Sequence, residues 1–153
     1  DTFGELALMH NEPRSASIFA YTTTEFLTLD RKSYLHLMEA ANSQKHGQIT
    51  TMAPTMKQAC KVLSKPGQER SYEDVDLLAR FLGELQLFSK LGWQIRMDLC
   101  QCITLETMPS GRVVFLQGDP GDKYYVILSG MVRLDVRSDN KDGTYSYKPV
   151  KKL

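Results

Sequence analysis

Strand-like sequence is confined to the two ends of this 153-residue chain, and helical sequence fills the middle. That arrangement constrains the fold more than any other feature. Each end offers only a few short strands, too few to enclose a core, and each leaves sheet edges open. The ends therefore complete each other, within one chain or across two, or each is completed by sequence from elsewhere.

At the first end, residues 16 to 29 alternate. Ala16, Ile18 and Ala20 fall on one side, and Ser17, Phe19 and Tyr21 on the other. Thr22 to Thr24 carry β-propensity, and Phe26 to Leu29 resume the pattern, which predicts two strands joined by a turn. Asp30 reads as an N-cap for a helix with Tyr34, Leu37, Met38 and Ala41 at i, i+3, i+4, i+7. That helix should fade in 42–47, where Asn42, Ser43 and Gly47 accumulate.

At the other end, from Gly111, "RVVFLQ" and "KYYVIL" read as strands separated by the turn-dense "GDPGD". Ser129-Gly130 reads as a hairpin connection to "MVRLDV", in which Val132, Leu134 and Val136 alternate with polar neighbours. "DNKDG" is another turn, and Tyr145 with Tyr147 marks one more strand. The middle carries a short helix in "TMKQACKVLSK", between Pro54 and Pro66-Gly67. A capping box follows at Ser71 to Asp74, with Val75, Leu78, Leu82 and Leu85 as the apolar stripe behind it. Gly83 weakens that helix without ending it. A last helix is predicted over Trp93 to Cys102, with Ile95, Leu99 and Cys102 on one face. The fold class is α+β: a mainly-β barrel or jelly roll with accessory helices.

The bulk properties exclude several classes of function. Net charge is +1, which gives no long-range field for nucleic acid or an anionic membrane. No apolar run approaches the roughly 18 residues of a membrane span, and the first residues show no signal peptide. Cys60, Cys100 and Cys102 are odd in number and lack a framework spacing, so they read as buried free thiols in a reducing, cytoplasmic setting. His10, His36 and His46 include no H-x-H pair, and no metal site is expected. Ser129 lacks the spacing of a hydrolase elbow. "GDPGD" lacks the Lys-Ser/Thr of a phosphate-binding loop. A non-enzymatic protein without a cofactor is the expectation.

The chemistry concentrates in "FGELALMHNEPRSASI", Phe3 to Ile18. "ELALMH" is a short helix whose first amides, around Leu6 and Ala7, are unsatisfied donors suited to an anion. Gly4 allows a positive φ or close backbone approach just before it. Arg14 can offer a charge-assisted fork to a phosphate, and Pro13 stiffens the return of the loop. Glu5 would repel phosphate and suits a sugar hydroxyl instead. On residue types alone, a plain surface ion pair between Glu5 and Arg14 remains the competing account.

"FGELAL", five residues, then "RSAS" and Ile18 resembles the phosphate-binding cassette of cyclic nucleotide-binding domains, the protein kinase A regulatory type above all. The resemblance implies that Glu5 takes the ribose 2′-hydroxyl and Arg14 the exocyclic phosphate oxygens. It also implies that the backbones of Gly4, Leu6, Ala7, Ser15 and Ala16 line the cradle, for cAMP or cGMP as ligand. Ser15 stands where the protein kinase A type has Ala, which leaves cGMP open. No base-capping residue is assigned; Trp93 and Tyr72 are the aromatic candidates, and Trp93 reads more readily as core. "GRVVFLQGDPGDKYYVILSGMVRL" resembles the early strands of the same kind of domain, and the helices from 71 to 102 resemble those that precede them. The halves thus stand in inverted order. Residues 1–46 read as the late half of one domain, 47–70 as a connector and 71–153 as the early half of a second. The implied function is a regulatory module that couples nucleotide binding to the helix from Asp30 to Ala41, with Tyr34, Leu37 and Met38 as the contacts that move. Its implied partners are the nucleotide and an effector outside this chain, with half-barrel complementation or a homo-oligomer as further options. A degenerate scaffold of the same fold that binds no nucleotide is the alternative.

Overall fold

The computed structural model describes residues 1–41, 54–139 and 144–153. The predicted fading of the helix in 42–47, His46 and the "DNKDG" turn fall wholly or largely outside them. The chain divides into two compact units, Asp1–Arg31 with Glu106–Leu153, and Lys32–Leu105.

The first unit holds the strands. From the first end come β1 (Thr2–Phe3), α1 (Glu5–His10), β2 (Ser17–Ala20) and β3 (Thr24–Asp30). From the other end come β4 (Thr104–Met108), β5 (Val113–Phe115), β6 (Lys123–Ser129), β7 (Val132–Asp139) and β8 (Tyr145–Lys152). They form two four-stranded sheets, in the orders β1-β6-β3-β4 and β5-β2-β7-β8. The resolved ladders are antiparallel, with Phe3 opposite Tyr125, Thr28 also opposite Tyr125, and Ile18 opposite Leu134. The ends of the chain interleave strand by strand, so the α+β, jelly-roll-like architecture is assembled from both.

The alternation read in the sequence explains the core. Ile18 and Val132 point inward from one sheet, and Phe3, Phe26 and Tyr125 from the other, forming one buried cluster. Phe3 stacks on Tyr125 with centroids 5.0 Å apart, and Phe26 meets Phe3 edge-on at 5.7 Å. Such pairs add about 0.5–1.5 kcal/mol each beyond the area they bury.

The predicted hairpin at Ser129-Gly130 is not one. β6 and β7 lie in different sheets, and the chain crosses between them there. β2 and β3 are likewise consecutive but on opposite sheets. The two crossings pack together: Met131 N–H donates to Thr22 Oγ1 at 2.9 Å, and the buried Thr24 hydroxyl lies 2.9 Å from the Thr22 carbonyl oxygen. Gly130 has φ +90°, and a Cβ there would come within 2.4 Å of the Thr23 carbonyl oxygen. Gly130→Ala combines a left-handed backbone with overpacking and is expected to cost about 3 kcal/mol. Thermal unfolding measures this; a loss below about 0.5 kcal/mol, the level of an ordinary surface change, would show that the crossing is not packed in this way.

The second unit holds the helices α2 (Arg31–Ala41, beginning one residue earlier), α3 (Met56–Leu63), α4 (Tyr72–Glu84) and α5 (Trp93–Cys102). The predicted capping box is present, with Ser71 accepting from Asp74 N–H and Asp74 from Ser71 N–H. Thr55 and Gln58 form a second one at the start of α3. Val75, Leu78 and Leu82 are buried on α4, and Gly83 does not end it. A side chain at Gly83 would instead strike Arg96 of α5. The thiols depart from expectation. Cys100 is buried beside Leu99 while Cys102 is exposed and Cys60 half-buried. The face of α5 runs Ile95, Leu99 and on to Ile103, which leaves Cys102 on the outside. Burial pushes the Cys100 thiol up to about 12, so it stays protonated.

Among the described residues, no helix is long and apolar enough to cross a membrane.

Candidate functional site

Gly4 opens the site. It sits at φ +95°, ψ −5° as the N-cap of α1, with no side chain to cap the first amides. Glu5 is the first helical residue, Ala7 is buried and Leu6 is exposed. α1 ends at Asn11, itself left-handed at φ 55°, which turns the chain back toward Pro13 and Arg14. Ser15 is exposed and Ala16 buried just before β2 begins.

Arg14 is only 3% exposed. Its backbone is clasped by the turn before β6: Arg14 N–H donates to the Asp119 carbonyl at 2.8 Å, and Gly118 N–H to the Arg14 carbonyl at 2.8 Å. Its guanidinium donates to the Gly4 carbonyl at 2.9 Å, the Lys123 carbonyl at 2.8 Å and Asp122 Oδ1 at 3.2 Å. The same group lies over the Phe115 ring, 4.2 Å from its centroid. A desolvated cation–π contact of this kind adds up to about 2 kcal/mol. Tyr125, on the other side, is buried enough that its phenol is pushed up to about 12 and stays neutral.

Among the described residues, the buried Glu5 Oε2 and Arg14 Nε of the cassette find no hydrogen-bond partner. An acceptor and a donor left unsatisfied carry a desolvation cost of about 1–3 kcal/mol each, more where a charge is involved. A ligand presenting a hydroxyl to Glu5 and an anionic oxygen to Arg14 would remove both costs. The approach to the helix is close as well. A Cβ on Gly4 would stand 2.8 Å from Arg14 Nη1, and one on Gly121 would stand 2.6 Å from Ala7 Cβ.

The sequence residues Gly4, Glu5, Ala7, Arg14 and Ala16 thus fall in one short cassette, and Gly4 touches Arg14 directly. The partners in the distant turn were not foreseen. "GDPGD" reads as a break between strands, yet Gly118, Asp119, Gly121, Asp122 and Lys123 all serve Arg14 or α1. The signal was available: an acidic residue between glycines, directly before a buried strand. Trp93 lies under Arg96 in the helical unit, at 5.7 Å, and Tyr72 is exposed on α4. His10 and His36 are exposed, and no group of metal-ligating side chains occurs among the described residues.

Comparison with known proteins bears on the same cassette. The chain is 27% identical over 139 residues to the cAMP-dependent protein kinase regulatory subunit of Yarrowia lipolytica, covering 91% of this chain and 29% of that protein. It is 26% identical over 151 residues to the regulatory subunit of Blastocladiella emersonii, covering 99% and 30%. It is 26% identical over 131 residues to that of Dictyostelium discoideum, covering 86% and 31%. The chain is thus similar to these regulatory subunits over most of its length. It spans about three tenths of the length of these relatives. No family model and no solved structure matches it.

Proposed function

We propose that this chain is a non-enzymatic regulatory module that binds a cyclic nucleotide, cAMP first and cGMP as the rival. The observation that carries this reading is the orphaned pair, Glu5 Oε2 and Arg14 Nε, buried in one cassette. A ribose 2′-hydroxyl supplies the donor that Glu5 lacks, and a cyclic phosphate the acceptor that Arg14 Nε lacks. The backbone around Gly4, Leu6, Ala7, Ser15 and Ala16 lines the remainder of the cradle. The names of the relatives favour cAMP, and Ser15 keeps cGMP in play. Binding would act on α2, which follows β3 directly, and only to the extent that the nucleotide prefers one arrangement of that helix. The effector lies outside this chain, and a cytoplasmic setting fits the regulatory subunits it is similar to.

We also propose tandem parentage. Residues 1–46 would be the late half of one domain, 47–70 a connector and 71–153 the early half of the next. The similarity to the regulatory subunits supports this, because in one relative it extends over 99% of the chain, both ends and the middle together.

Calorimetric titration with cAMP and cGMP tests the binding. Glu5→Ala is expected to weaken it about tenfold or more, or about 1.4 kcal/mol, since a hydrogen bond to a charged group is lost. It should leave thermal stability unchanged or slightly raised, because Glu5 Oε2 has no partner to lose. One observation favours the scaffold alternative: Nη1 and Nη2 of Arg14 are already bonded within the chain. Absence of any heat or thermal shift with either nucleotide would decide for that alternative.

A further inference from the structure

The ladders of β1, β2 and β3 share one property. β1 pairs with β6, β2 with β5 and β7, and β3 with β6 and β4. Among the described residues, none of the three pairs with another of the three. Every sheet partner of residues 1–31 is a strand from the far end of the chain. The core draws on both segments as well. Phe3, Ile18 and Phe26 come from the first segment and close on Tyr125 and Val132 from the last. So does the site, where Arg14 is held by Gly118, Asp119, Asp122 and Lys123. Between the segments lies Lys32–Leu105, a compact unit of its own.

A segment with this contact pattern gives up nothing when it pairs with another chain. A closed monomer and a reciprocal dimer contain the same ladders, the same aromatic cluster and the same clasp on Arg14. Only the connector distinguishes them. It sets the effective concentration of one segment about the other, and a second copy competes once its own concentration becomes comparable.

We propose that residues 1–31 are an exchangeable segment whose partner is residues 106–153 of a second copy of this chain. In the exchanged dimer each cassette is composite: Arg14 of one copy faces Asp122 and Lys123 of the other. The inference rests on strand pairing and stands whether or not the cassette takes a nucleotide.

The test uses the full chain with the C60S and C102S changes, which leave only the buried Cys100 thiol. Thr2 and Val126 are opposite each other in the β1·β6 ladder. Because Ile127 N–H donates to the Asp1 carbonyl, one position along, Thr2 and Val126 form a non-hydrogen-bonded pair. That spacing suits a disulfide. One chain carries T2C and another carries V126C. They are unfolded together, refolded at a chain concentration of about 0.5 mM, in the range where linked segments and free copies compete, and oxidised with oxidised glutathione. The expected result is a covalent dimer of twice the chain mass, with the disulfide joining the two engineered positions in different chains. A control chain carrying both T2C and V126C should close the same bond. Closure in the control with no dimer in the mixture would overturn the proposal. Failure of the control as well would overturn it too, because the pairing itself would then be wrong.

Discussion

Arg14→Ala is expected to weaken cyclic-nucleotide binding by more than tenfold and to destabilise the β-rich unit in the same stroke. The binding loss follows from removing the charge-assisted fork, at least about 1.4 kcal/mol. The stability loss follows from what the guanidinium holds. It ties the Gly4 carbonyl at one end of the chain to the Lys123 carbonyl and Asp122 at the other, and it covers the Phe115 ring. Truncating it leaves two main-chain carbonyls and a cavity, about 3 kcal/mol in total for a group so buried. Arg14→Lys separates the two roles. The ammonium keeps a charge near Asp122 but cannot reach Gly4 and Lys123 together or stack on Phe115. It should recover part of the melting temperature and little of the affinity. The measurements are calorimetric titration with cAMP and thermal unfolding of each variant. Wild-type affinity in Arg14→Ala would remove the proposed role of Arg14. Wild-type stability would mean that the clasp between the chain ends is not formed.

How far these roles were legible follows from the kind of signal each leaves. Ile18 and Val132 declare themselves by alternation, because a strand with one buried face must show it. Ser71 and Asp74 declare a helix start because both halves of a capping box lie within four residues. That Gly4 and Arg14 meet is legible for the same reason: the cassette is local. What was hidden is long-range. Nothing in "SG" distinguishes a hairpin from a crossing between sheets, since Gly130 needs its positive φ in either case. Asp122 and Lys123 stand more than a hundred positions from Arg14, and their role appears only once β6 is placed between β1 and β3. β1 itself is two residues long and leaves no periodic pattern at all.

Arg70 belongs to the hidden class, and its replacement carries the other large expected effect. It follows a short turn, Gly67–Glu69, at the end of the stretch read as a connector, and it is only 8% exposed. Its hydrogen bonds go to main-chain carbonyls: Leu63 at 3.4 Å, Lys65 at 2.9 Å, Ile103 at 3.0 Å, and Cys100. Those of Leu63, Cys100 and Ile103 lie where α3 and α5 end and leave carbonyls unsatisfied, and that of Lys65 just past α3. One cation therefore caps two helices at their negative poles. Burial lowers its pKa from the usual guanidinium value, and nearby Cys100 and Asp74 oppose that shift. The main chain of the same turn comes so close to α5 that a Cβ on Gly67 would fall 2.0 Å from the Gln101 carbonyl oxygen. Arg70→Met keeps most of the volume and removes every donor. It strands several carbonyls at once, and the expected cost is about 3–5 kcal/mol, the range for breaking a buried charged network. Arg70→Lys should fall between, since one ammonium cannot span both helix ends. Urea unfolding gives the magnitude. Hydrogen exchange gives the place, with protection lost across α3, the Gly67–Glu69 turn and α5. A cost below about 1 kcal/mol, as for an exposed charge, would mean that solvent already serves those carbonyls and that Arg70 is not the joint between the two helices.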